Sequence, residues 1–335
     1  MSEPSPHPVK RRGRVFRFGA ALMTLLAVAG YLVVQYVTGG RSGPGCTVVS
    51  GEDDGARYRF TPEQAVNAAT IAAVGTGRGM PERAVTIALA TALQESGLRN
   101  IEHGDRDSLG LFQQRPSQGW GTPRQIMEPA YAAGAFYEHL GKVPGYTRLP
   151  LTVAAQRVQR SGYPEAYAKH EPDAKLLAAA LTGHAAATLT CRGNPDAAGV
   201  QAGPDAVRSA LVRDFGRDVL QDAGAEVGGR ATPTPSPSSS PSSSSSPSAQ
   251  DGTRTVTLPV AAGASPVKGG TARQRGWQLA HWAVANASAL HIERVSFAGR
   301  EWTAGTSDPR WRPTGAQSSG ETGRTADAVR IVTGQ

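Results

Sequence analysis

The chain has 335 residues, two cysteines, seven histidines and a formal net charge of +8, long enough for more than one folded unit. That charge is uneven: residues 1–45 carry six basic and one acidic side chain, 46–192 carry fifteen and fourteen, and 251–335 carry ten and six. An excess confined to the two ends is not a nucleic-acid-binding surface, and no phosphate-cradling glycine loop, Ser-His-Asp arrangement or metal-ligand spacing is visible, so no metal or cofactor is expected.

Lys10, Arg11, Arg12 and Arg14 make residues 1–15 a basic segment predicted to stay cytoplasmic. Residues 16–37 are largely apolar and long enough to span a bilayer, which predicts a transmembrane anchor through the cytoplasmic membrane with the rest of the chain outside. Ala27-Val28-Ala29 leaves a cleaved signal and secretion as the alternative.

A helical domain is predicted over 46–192. Thr61-Pro62-Glu63-Gln64 reads as a capping box that opens a helix through Ala65 to Val74 and stops at Gly75. Pro81 suits the first turn of the next helix, in which Val85, Ala88, Leu89, Ala92 and Leu93 recur at helical spacing until Gly97, a natural left-handed cap. Further helices are expected near 125–140, 152–160, 164–170 and 173–182. Cys46 and Cys191 flank this domain, where a disulfide would staple its ends in an oxidising compartment outside the cytoplasm.

Glu95 falls in the last turn of the second helix, on the face that carries Ala88 and Ala92. Burial there and the negative pole of the helix both disfavour a carboxylate, so its pKa should rise toward the working pH and suit it to protonate a leaving oxygen. Eighteen residues later comes Gly110-Leu111-Phe112-Gln113. The pattern Glu95-Ser96-Gly97, a turn-rich stretch and then G-L-x-Q resembles the catalytic heart of soluble lytic transglycosylases and goose-type lysozymes, with Phe112 in place of the usual methionine. The resemblance extends through Gln125–Leu140 and reaches Ala154–Gly162, where Gln159 replaces the family's tyrosine near the catalytic acid.

This resemblance implies a lysozyme-like fold that cleaves the β-1,4 bond between N-acetylmuramic acid and N-acetylglucosamine in peptidoglycan. Glu95 would be the general acid and then the base, and Gln113 would bind an N-acetyl group through its amide. Goose-type lysozymes also carry a G-D-R step, which makes Asp105 the candidate second carboxylate; Asp105 and Asp107 equally suit turn residues that bond local backbone. Gly110 would let the chain pass close to the sugar. Phe112 and Trp120 offer flat faces for sugar rings, and Gln159 completes the candidate substrate-binding set. Hydrolysis and anhydro-forming transglycosylation both remain open. The alternative is a scaffolding protein that retains the fold and binds peptidoglycan glycan strands without turnover.

Val207, Leu211, Phe215 and Val219 predict a short amphipathic helix over 205–222. Residues 230–250 are Ser/Pro-rich and read as a disordered linker. Beyond it, 254–335 should form a small α+β module: a strand at Thr255–Val260, a helix at Ala272–Leu290, and strands at Ile292–Phe297 and Asp327–Val332. Its end is similar to actinobacterial wall-associated domains related to D-Ala-D-Ala metallopeptidases but lacks both histidines of their D-H-V-H ending, which leaves a binding or spacer role. Its basic excess suits anionic wall polymers. The expected fold class is therefore a mainly α lysozyme-like catalytic domain, an N-terminal transmembrane helix, and a small α+β C-terminal domain after a disordered linker.

Overall fold

Cys46 and Cys191 sit opposite each other on neighbouring strands and are joined by a disulfide. The computed structural model describes residues 44–52, 54–161, 164–192, 203–222, 254–260, 270–306, 308–314 and 328–334, all within one compact unit, Pro44–Gln335. Strand β1 (Cys46–Val49) is the centre of a three-stranded antiparallel sheet between β2 (Arg57–Phe60) and β3 (Leu189–Cys191). Strands this short hold together poorly on their own. The bridge closes a loop with a sequence separation of 145, worth roughly 4–5 kcal/mol in the chain-entropy account.

Between β2 and β3 the chain is helical. The capping box forms: Thr61 Oγ1 accepts from the Gln64 amide at 3.3 Å, and Gln64 Oε1 accepts from the Thr61 amide at 2.7 Å. Helix α1 (Pro62–Gly77) does not stop at Gly75. A Cβ at Gly75 would lie 2.6 Å from the Tyr137 ring, so this glycine serves helix packing inside the helix rather than termination. Next come α2 (Glu82–Ser96), α3 (Pro123–Ile126), α4 (Pro129–Gly141), α5 (Leu151–Gln159), a 3₁₀ stretch (Pro164–His170) and α6 (Glu171–Leu181). The single helix predicted over 125–140 is broken at Glu128, because Pro129 lacks the N–H needed to continue α3 and instead opens α4.

Helix α7 (Pro204–Phe215), followed by the short α8 (Asp218–Asp222), corresponds to the predicted amphipathic helix and buries Val207, Ala210, Leu211 and Phe215. Its partner is α1. The remaining elements are β4 (Thr255–Pro259), α9 (Ala272–Ala285), α10 (Ala287–Leu290), β5 (Ile292–Phe297), β6 (Arg300–Thr303), β7 (Arg312–Pro313) and β8 (Ala328–Thr333). The strands form an antiparallel sheet in the order β4-β8-β5-β6-β7.

The expected fold class is corrected in its C-terminal part. The C-terminal residues are not a separate α+β module: α9 packs on α1, α6 and β3 with one side and on β5 and β8 with the other, so helices and two small sheets share one core. Gln278 Nε2 donates to Thr76 Oγ1 at 2.6 Å, Trp311 Nε1 to the Leu189 carbonyl at 2.9 Å, and Trp282 Nε1 to Asp214 Oδ2 at 2.8 Å. Among the described residues no helix is long and apolar enough to cross a membrane. The predicted span 16–37, the basic segment 1–15 and the linker 230–250 lie outside the described residues.

Candidate active site

Helix α2 buries Val85, Ala88, Leu89, Ala92 and Leu93 and ends at Gly97, whose φ of 63° is the left-handed conformation its sequence predicted. Three side chains fix that end. Gln64 Nε2 donates to the Gly97 carbonyl at 2.7 Å, Asn67 Nδ2 to the Leu98 carbonyl at 2.9 Å, and Ser96 Oγ to the Leu111 carbonyl at 2.8 Å. These bonds satisfy carbonyls at and just beyond the helix terminus and lock the Gly110–Gln113 turn against the residue next to Glu95.

Glu95 is half-buried. Burial pushes its pKa above the usual carboxylate range, against hydrogen bonds from Tyr167 and Gln159 that favour the ionised form. The Tyr167 hydroxyl donates to Glu95 Oε1 at 2.7 Å. Tyr167 is itself wholly buried, and burial and then the charge of Glu95 raise its own pKa, so it stays a hydroxyl donor. Gln159 Nε2 also donates to the Phe112 carbonyl at 2.8 Å. Tyr167 reaches the acid from the 3₁₀ stretch Pro164–His170. The only sequence hint was an aromatic residue among Glu165, Lys169 and His170, which suggests an inward side chain and not the atom it meets.

A cleft of about 870 Å³ opens over this acid, and Glu95, Asp105, Gln113, Trp120 and Gln159 all line it. Gln113 has a φ of 48°, a left-handed conformation uncommon for a side chain of its kind. Its amide group folds back over Gly104, where any Cβ would strike Gln113 Oε1. Trp120 lies half-buried against the His139 ring, centroids 4.1 Å apart. The site therefore combines one poorly solvated acid, the primary amides of Gln113 and Gln159 and one indole in an open groove.

Two predicted contributors lie elsewhere. The Phe112 ring is wholly buried and stacked on Phe136 at 4.7 Å, so it belongs to the core and has no face to offer a sugar. Gly110 is also buried; its φ of 73° and the Ile126 carbonyl, 2.8 Å from where a Cβ would sit, account for the glycine as a turn residue. The two aspartates separate clearly. Asp107 accepts from Arg115 Nε at 2.7 Å and from the Ser117 amide at 2.9 Å, contacts that hold its carboxyl far below the usual range and mark it as a loop clasp. Asp105 has a side chain 91 % exposed and touches Arg106 only at 3.9 Å.

Among the described residues, no group of His, Cys, Asp and Glu is arranged to hold a metal ion. Residues 256–326 match the family model described as VldE, C-terminal domain. This match takes in α9, α10 and the second sheet except β8, which follows its last residue, and includes none of the cleft residues. The chain matches no protein of curated function.

Proposed function

We propose that this protein cleaves the β-1,4 glycosidic bond between N-acetylmuramic acid and N-acetylglucosamine in peptidoglycan, with Glu95 as the proton donor. The observation that carries this reading is a half-buried carboxyl of raised pKa, hydrogen-bonded by Tyr167, in a cleft lined by amide and indole groups. Glu95 gives its proton to the bridging oxygen as the bond to the muramoyl C1 breaks. In the ring-closing route the hydroxymethyl oxygen of the same sugar then bonds to C1, and Glu95 takes up the proton it releases. This route needs no second carboxylate, which suits a site where Asp107 is committed to the loop and Asp105 is solvated. The Cys46–Cys191 disulfide favours a place outside the cytoplasm, where the glycan strands are.

The test is turnover of purified peptidoglycan by the full chain and its Glu95→Gln variant. A loss of about 10² or more in rate is expected for the variant. No activity in either protein favours a glycan-binding scaffold instead, and equal activity in both overturns Glu95 as the proton donor. Product masses with anhydromuramoyl ends support the ring-closing route, and reducing ends support water as the acceptor.

A further inference from the structure

Five strongly basic side chains line the cleft: Arg106, Arg115, Lys142, Arg157 and Arg160. Three face a carboxylate. Arg106 lies 3.9 Å from Asp105, Arg115 2.7 Å from Asp107, and Lys142 2.8 Å from Glu138. Arg157 and Arg160 are exposed, and among the described residues no carboxylate stands within ion-pair distance of either. Glu95, kept protonated over a wider pH range by burial, is a poor counter-ion for them.

Their placement follows from the local fold. Arg157 lies in the last turn of α5, and Arg160 is its left-handed cap with a φ of 52°. Between them in sequence stands Gln159, the residue that hydrogen-bonds Glu95. The two guanidinium groups are thus borne by the segment that supports the acid. Uncompensated charge on the wall of a groove concentrates the field there, and a guanidinium recognises a carboxylate with two parallel N–H donors. A neutral sugar polymer offers such a wall hydrogen-bond acceptors but no opposite charge.

We propose that Arg157 and Arg160 form an anion subsite beside the acid, which takes a carboxylate carried by the glycan, such as that of the muramoyl lactyl group or its attached peptide. The subsite rests on the peptidoglycan reading and makes the charged substituent, rather than the sugar backbone alone, a determinant of specificity.

Binding, not turnover, tests it. The full-length Glu95→Gln variant is titrated with peptide-free glycan strands, whose lactyl carboxylates are free, and with the same strands converted to neutral primary amides. The carboxylate strands should bind roughly tenfold more tightly at low salt, as two exposed ion pairs warrant, and the preference should shrink toward about 0.5 M salt. Adding Arg157→Gln and Arg160→Asn should abolish the preference. Both positions are exposed and asparagine accepts left-handed backbone, so an unchanged unfolding midpoint is the control for folding. Equal binding of the two strands, or a preference that survives both arginine substitutions, overturns the proposal. Retention of a polyglycerol phosphate with no preference among the glycan strands also overturns it and reassigns the wall to phosphate. Cleavage by the parent protein without a carboxylate preference leaves the catalytic reading standing while this one fails; a preference without cleavage does the reverse.

Discussion

At Glu95 the arrangement proposed for catalysis carries a cost in stability. Its folded pKa is raised by burial, so the folded state binds more protons than the unfolded chain between the ordinary carboxylate value and the raised one. Stability therefore falls as pH rises through that window. Glu95→Gln removes the ionisable group and keeps an oxygen for the Tyr167 hydroxyl, so it should stabilise the protein at pH 7 by ~1 kcal/mol, as replacement of a functionally destabilised residue often does. Thermal unfolding checks this, and the gain should vanish near pH 3; a lower midpoint at pH 7 would mark Glu95 as a structural residue. Tyr167→Phe removes a donor that favours the carboxylate, so the pKa of Glu95 should rise further. The alkaline limb of the pH–rate profile then moves upward, and a limb that stays put or moves down argues that the phenol does not act on the acid. That Glu95 and Gln113 line one cleft was legible because both lie in one short linear pattern. Tyr167, separated from the acid by 72 positions, is brought to it only by folding, and Phe112 misled because a motif position does not reveal which way a ring turns.

Elements depend on what lies beside them. The first sheet joins strands of three and four residues whose edges come from opposite ends of the helical region, and the disulfide lowers the entropy of bringing those ends together. Replacing Cys46 and Cys191 by serine should cost about 2–5 kcal/mol, seen as an earlier denaturation midpoint, and reduction of the parent protein should reproduce it. An unchanged midpoint in both cases would show that helix packing alone holds the ends. Capping boxes and the glycine cap of α2 were readable from sequence because each is settled within four or five residues. The role of Gly75 was not: only the Tyr137 ring, supplied by another helix, distinguishes a packing glycine from a terminator. In α9 the polar side chains hide from the sequence how deeply the helix is buried. Trp277, Leu279, Ala280, Trp282, Ala283, Val284 and Ala285 are buried, and so are Arg275, Gln278 and His281 on the remaining face, where Gln278 and His281 bond the helical region, so the helix lies between two layers instead of capping a small sheet.

In the molecule as a whole, α9 makes the cleft-bearing helices and the second sheet share one core, so the full chain should unfold in a single transition with matching calorimetric and van't Hoff enthalpies. Two resolved transitions would show that the C-terminal sheet stands alone. His281 reports on the same junction. It is wholly buried, its Nδ1 is 2.8 Å from the Ala180 carbonyl of α6, and its ring contacts Trp277 and Trp311. Burial is the main cause that lowers its pKa to about 4, outweighing the bond to Ala180. The unfolded chain therefore binds a proton that the folded one refuses between about pH 6.5 and pH 4, and stability drains away as pH falls through that interval. The loss is roughly 3 kcal/mol for this one group. In His281→Asn, whose amide still donates to the carbonyl, the midpoint should start lower because volume is lost from the core, but its fall between pH 6.5 and pH 4 should be much shallower. That slope, not the absolute midpoint, is the decisive measurement, since any substitution at a packed junction lowers stability and only loss of the buried imidazole removes its proton linkage. An undiminished slope in the variant would place the acid sensitivity elsewhere.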